Sequence, residues 1–115
     1  TPSIRFASTL TDVNGTLFLY GGTDQGAIKG GAYQVFSDLI QLDPRLLAWT
    51  TVAPVGVNPG PRAYHAAAAI GDRLFVYGGV NWSGILDDLF AFDTGANPPR
   101  WSQVVPARTR AWPGP

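Results

Sequence analysis

The sequence predicts an all-β chain built from two copies of one four-stranded antiparallel unit. Three observations carry that prediction. The first is composition. All eight acids are Asp, seven of the eight bases are Arg with Lys29 alone, and the 115 residues include 14 Gly and 10 Pro. Glu and Lys are strong helix formers, so their near absence disfavours helices, while abundant Gly and Pro supply turns between short strands. The second is an internal repeat, the first thing to seek in any chain. Arg5 to Gly22 aligns without gaps on Arg62 to Gly79, and Asp38-Leu-Ile-Gln-Leu-Asp43 aligns on Asp88-Leu-Phe-Ala-Phe-Asp93. Trp49-Thr-Thr-Val52 then aligns on Trp101-Ser-Gln-Val104, in the same block order. The third is turn chemistry. Asn14-Gly15 and Gly71-Asp72 each sit between apolar runs, the two-residue hairpin signal.

The elements follow in order. Ser8–Val13 and Ala66–Ile70 are read as the first strands, and Thr16–Tyr20 and Arg73–Tyr77 as the second. The second strands are nearly continuous apolar runs, as expected where both faces are covered. Leu39–Leu42 and Leu89–Phe92 form the third, each closed by an Asp suited to capping a turn. The fourth strands begin at Trp49 and Trp101. The expected units are 1–53 and 54–105, with 106–115 a Pro-rich tail or the start of a third repeat, since Ala107 to Trp112 again carries Arg after Pro. The first copy holds seven extra residues between Gly22 and Asp38.

Charge and residue inventory exclude several functions. Without Cys there is no disulfide framework, thiolate nucleophile or Cys-based zinc site. One His gives no multi-His metal centre, and a net charge of +0 gives no electrostatic reason to expect nucleic acid. No apolar run reaches the roughly 18 residues of a membrane span. No catalytic residue, cofactor or metal ligand is therefore expected.

The second copy carries Pro61-Arg62-Ala63-Tyr64-His65, Tyr77-Gly78-Gly79, Asp88-Leu89, Asp93 and Trp101. The first is similar but has Ser8 where the second has His65. Together these motifs resemble the kelch repeat, over about Arg5 to Val105. The resemblance implies kelch-type β-propeller blades, here two four-stranded antiparallel blades of an incomplete propeller. Blades pack face to face around a channel, and propellers hold about 4–8 of them. Two blades leave two sheet faces bare. The chain is then part of a longer propeller, the favoured reading, or one that assembles with copies of itself or with other chains.

Each singled-out residue has a bland reading and a functional one. Arg5, Gly21, Gly22, Asp38, Trp49, Arg62, His65, Gly78, Gly79, Asp88 and Trp101 recur in register or lie within the motif, so they are expected to be structural. Gly-Gly permits close backbone approach, and the Trp residues are expected to supply buried area between blades. Asp88 and Asp38 are read as capping the start of the third strand, and His65 as bonding to backbone near the channel. Asp87 and Asp88 are a poor acid/base pair, because strand neighbours point to opposite faces.

Function on such scaffolds usually lives in loops. The two segments that differ between copies, Thr23–Ser37 and Val80–Asp87, supply Asp24, Gln25, Lys29, Tyr33, Asn81 and Trp82 as candidate partner contacts, with Tyr64 beside them. The expected function is a non-enzymatic protein-interaction or structural scaffold. The alternatives are a carbohydrate-binding module using Trp82, and part of a larger enzyme whose catalytic residues lie outside this segment. Galactose-oxidase-like and metal-dependent specifier-type kelch enzymes need Cys, paired His or Glu, which this segment lacks. Asn14-Gly-Thr and Asn81-Trp-Ser are glycosylation acceptor sequences. They tilt the setting slightly towards the extracellular side, whereas many kelch proteins are cytoplasmic.

Overall fold

The computed structural model describes residues 2–24 and 34–105. The described residues contain nine strands and no helix: β1 Thr9–Val13, β2 Thr16–Tyr20, β3 Leu39–Asp43, β4 Ala48–Val52, β5 Val55–Gly56, β6 Ala66–Ile70, β7 Arg73–Asn81, β8 Gly84–Asp93 and β9 Arg100–Val104. They form two sheets, ordered β1-β2-β3-β4 and β5-β9-β8-β7-β6.

Local chemistry explains the turns. Asn14 and Gly15 both take positive φ (53° and 91°), as a tight hairpin between right-twisted strands demands, and Asp12 Oδ1 accepts the Gly15 N–H at 2.8 Å. Asp43 and Asp93 each end the third strand of their blade. Their Oδ1 atoms accept the N–H two residues on, from Arg45 and Gly95, both at 2.9 Å.

Two features differ from the sequence expectation. Val80–Asp87 is hairpin rather than loop: β7 and β8 keep pairing through Gly79↔Leu86, Val80↔Ile85 and Asn81↔Gly84, after a register shift between Tyr77 and Gly79. The reason is that Gly78 and Gly79, at φ 67° and 103°, bend the strand without ending it, and Asn81 Oδ1 holds the Ser83 N–H at 2.8 Å across the tip. The second sheet also has five strands, because Val55–Gly56 of the Pro-rich junction pairs parallel to β9. A side chain at Gly56 would collide with the Trp101 carbonyl, so only Gly fits there.

The sheets stack front to back. Val13, Phe18, Tyr20 and Leu39 of the first blade meet Leu74, Val76, Phe90, Phe92 and Trp101 of the second, all nearly inaccessible. Phe18 sets its edge to Phe92 at 5.6 Å between ring centroids, and Tyr20 sets its edge to Trp101 at 5.3 Å. Across the blades, strand approach is confined to β1 with β6 and β7, so the sheets converge at β1 and diverge towards β4 and β9. That wedge is the shape of neighbouring propeller blades.

Repeat-equivalent residues therefore meet different surroundings. Phe18 and Tyr20 lie in the interface, whereas their counterparts Phe75 and Tyr77 lie on the opposite, outer side of the second blade. Trp101 is buried in the interface, but Trp49 is only half-buried on the outer side of the first blade. The expectation that both Trp residues fill a blade interface is met by Trp101 and, within the described residues, not by Trp49.

Candidate functional site

The end of the blades where β1 and β6 begin and β2 ends carries most of the residues singled out by the sequence. Its base is a pair of charged forks. Arg62 Nη1 donates to Asp88 Oδ1 at 2.7 Å and to the Gly78 carbonyl at 3.0 Å. Its Nη2 donates to Asp88 Oδ2 at 3.3 Å and to the Pro59 carbonyl at 2.5 Å. Arg5 repeats this on Asp38, at 2.6 and 3.1 Å, and on the Gly21 carbonyl at 3.2 Å. Planar guanidinium suits such two-point capture of a carboxylate. Asp38 and Asp88 are thus counter-ions of buried arginines rather than caps of a strand start. The pairing was encoded in the register shared by the two Arg–Asp pairs, a signal that strand-by-strand reading passes over.

Gly21 and Gly22 let the next blade's lead-in segment lie directly on the strand end, and Gly79 does the same for the lead-in of its own blade. Gly22 N–H donates to the Arg62 carbonyl at 2.9 Å. A Cβ on Gly21 would stand 2.5 Å from that same oxygen, and one on Gly79 would stand 2.7 Å from the Ala63 carbonyl. Both glycines also hold positive φ, so no other residue suits either place.

His65 is buried between the blades. Its Nε2 lies 2.7 Å from the Thr9 hydroxyl, and its ring meets Tyr20 edge-on at 5.6 Å. The ring thus bonds a side chain of the preceding blade, and the Tyr20 backbone also acts on it as a hydrogen-bond partner. Burial, aided by the positive charge of Arg62, lowers the His65 pKa to about 4. Burial likewise pushes the Tyr20 hydroxyl well above its ordinary value. That hydroxyl donates to the Gly60 carbonyl at 2.6 Å, tying the inter-blade junction to the first blade. His65 is neutral near pH 7 and braces the interface.

Above this base the surface is apolar and aromatic. Ala7 and Tyr64, equivalent in the repeat, both take φ of 60°. Non-Gly residues adopt this conformation only when surroundings impose it. Here the Tyr64 N–H is held by the Ala7 carbonyl at 3.0 Å, and paired bonds between Ala63 and Val80 fix the preceding residue. Tyr64 consequently points outward, 67% exposed, with its ring edge against Phe6. Ile4, Val80, Trp82 and Ile85 are exposed at the same end.

The remaining candidates divide. Asn81 is half-buried, and its Nδ2, the atom a glycan would occupy, donates to the Pro61 carbonyl at 2.8 Å. Asn14 is exposed in its turn. Asp24 Oδ1 accepts the Gln34 N–H at 3.1 Å. Gln25, Lys29 and Tyr33 lie outside the described residues. Asp87 is exposed while Asp88 serves Arg62, so the two do not work as a pair. Among the described residues no three His, Cys, Asp or Glu side chains gather where they could hold a metal ion, and no helix is long and apolar enough to cross a membrane.

Wedge-stacked antiparallel sheets, joined at Gly21-Gly22 and each braced by its own buried Arg–Asp fork, define a pair of β-propeller blades. The chain belongs to the kelch-repeat family. The KLHDC2/KLHL20/DRC7 Kelch-repeats domain profile matches residues 1–114. The chain is 34% identical over 93 residues to acyl-CoA-binding domain-containing protein 4 of Arabidopsis thaliana, covering 80% of this chain and 13% of that protein. It is 34% identical over 87 residues to the Rab9 effector protein with kelch motifs of Gallus gallus, covering 74% of this chain and 22% of that protein. A serine/threonine-protein phosphatase, BSL2 of Arabidopsis thaliana, is 40% identical over 58 residues, covering 50% of this chain and 6% of that protein. The chain thus spans less than a quarter of the length of each of these relatives.

Proposed function

We propose that this kelch-repeat segment is a non-enzymatic protein-interaction scaffold that works within a larger polypeptide or assembly. The observation that carries the reading is the contrast at one end of the blades. Tyr64 is held rigidly outward by a strained backbone, beside exposed Ile4, Val80, Trp82 and Ile85, while the charged groups beneath are consumed by internal forks. Rigid aromatic side chains make efficient interface anchors, because little conformational freedom is lost when they are covered. A relative named as a Rab9 effector protein with kelch motifs supports a binding role for repeats of this kind. The polypeptide's activity, and any catalytic residues in it, would then lie in other segments, as the phosphatase named among the relatives illustrates. The carbohydrate reading of Trp82 draws no added support from the fold, and protein is the partner favoured here.

Selection from a displayed random-peptide library on the immobilised chain tests this. Enrichment of peptides whose binding falls at least tenfold in a Tyr64→Ala, Trp82→Ala double variant of unchanged circular dichroism supports the reading. Failure to enrich any peptide, or binding indifferent to both substitutions, overturns it.

A further inference from the structure

One turn carries chemistry that a binding role does not use. Asn14 and Gly15 join β1 to β2, both exposed, and Val13 pairs directly with Thr16 beneath them. In an Asn-Gly pair the glycine nitrogen can attack the side-chain amide before it, because no side chain crowds the approach. Space around this turn is open: a Cβ on Gly15 would meet no atom within 4 Å. The other asparagines are closed to the reaction. Asn58 and Asn97 precede Pro59 and Pro98, whose nitrogens carry no proton to give up. Asn81 precedes the bulky Trp82, and both ends of its amide are held, by the Pro61 carbonyl and the Ser83 N–H, each at 2.8 Å.

We propose that Asn14-Gly15 is a self-modification site, an asparagine that deamidates through a cyclic imide, and that Asp12 keeps it shut in the folded chain. In the reaction the Gly15 nitrogen gives up its proton and bonds to Asn14 Cγ. The Cγ–Nδ2 bond breaks, and Nδ2 leaves as ammonia with that proton. Water then opens the ring at either carbonyl. Breaking the new bond leaves an aspartate. Breaking the original main-chain bond leaves an isoaspartyl link, whose main chain runs through Cβ and is one carbon longer. Two features of the turn oppose the first step. Asn14 stands at φ 53°, and a left-handed residue turns the following nitrogen away from its own side chain. The Gly15 N–H is also held by Asp12 Oδ1 at 2.8 Å, and a carboxylate beside a group that must lose a proton opposes that loss. The ring therefore closes only when the turn opens. The longer product does not fit back. The hairpin leaves no slack between Val13 and Thr16, and Val13 is 2% exposed in the blade interface. Each molecule with the isoaspartyl link thus carries a loosened first hairpin.

Peptide mapping by mass spectrometry, after incubation at mildly alkaline pH, tests this. Cleavage after Arg5 and Lys29 separates Asn14 from the other asparagines. The folded chain is expected to deamidate at Asn14 ahead of every other asparagine, and at least about tenfold more slowly than the same chain unfolded in guanidinium chloride. Asp12→Ala, with unchanged circular dichroism, is expected to close most of that gap. Molecules with the isoaspartyl link, identified by a methyltransferase that labels isoaspartyl carboxylates, are expected to melt below the parent. Asn14→Asp is expected to melt close to it, since Asp tolerates the left-handed conformation. Equal rates in the folded and unfolded chains overturn the proposal without need of any variant. Slower conversion in Asp12→Ala overturns it too, because the carboxylate then acts as a base and not as a guard. Conversion that favours Asn81 over Asn14 overturns the choice of site.

Discussion

Arg62 and Asp88 are joined by a two-point fork, 2.7 and 3.3 Å, that ties the start of the second blade to its third strand. The guanidinium side chain is 1% exposed and the carboxylate 28%. Four acceptors surround the guanidinium Nη atoms, two on Asp88 and two backbone carbonyls. In the first blade the equivalent Arg5 is 5% and Asp38 37% exposed.

Removing one partner of a buried pair strands the other in a poor solvent. Asp88→Asn leaves Arg62 charged and underpaired, at a cost of about 3–5 kcal/mol. Asp38→Asn, at the more open fork, is expected to cost less. Urea midpoints of the two variants, compared with the parent, check both magnitude and order.

The Tyr20 hydroxyl donates to Gly60, whereas the hydroxyl of its repeat counterpart Tyr77 makes no hydrogen bond among the described residues. Tyr20→Phe should therefore lose about 1 kcal/mol of stability, the net worth of a typical bond, plus part of the cost of an unsatisfied carbonyl. Tyr77→Phe should change stability by less than about 0.5 kcal/mol, as surface substitutions usually do. Equal losses in parallel denaturation curves would contradict the assigned asymmetry.

His65 gives the fold an acid-sensitive point. Its pKa of about 4 in the folded chain lies below the ordinary 6.5. The unfolded chain then binds more protons between those values, so the His65 contribution to stability falls as pH drops from about 6.5 to 4. Below pH 4 both states are protonated and the contribution is flat. The groups facing the ring are half-buried Thr9 and buried Tyr20 and Arg62, and the cation adds to the penalty of burial. In His65→Gln the slope of stability against pH in that window should decrease by up to one proton relative to the parent.

The sequence by itself determined the repeat, and the repeat determined the blades. Alternation, Asn14-Gly15 and the strand-ending Asp43 and Asp93 are local signals, and the strands and turns lie where those signals place them. The kelch resemblance was legible for the same reason, since each motif residue recurs at a fixed register. Only the tertiary structure decided what equivalent residues do. It paired Arg62 with Asp88 across 26 positions and Arg5 with Asp38 across 33. It carried β7 and β8 beyond the glycine pair, and it drew Val55–Gly56 out of a Pro-rich junction into the second sheet. It also buried Trp101 while leaving Trp49 half-covered. The physical reason is that a strand has two faces and a blade two neighbours. Sequence periodicity fixes which side chains share a face, but only the stacking of one sheet on the next fixes which face is covered.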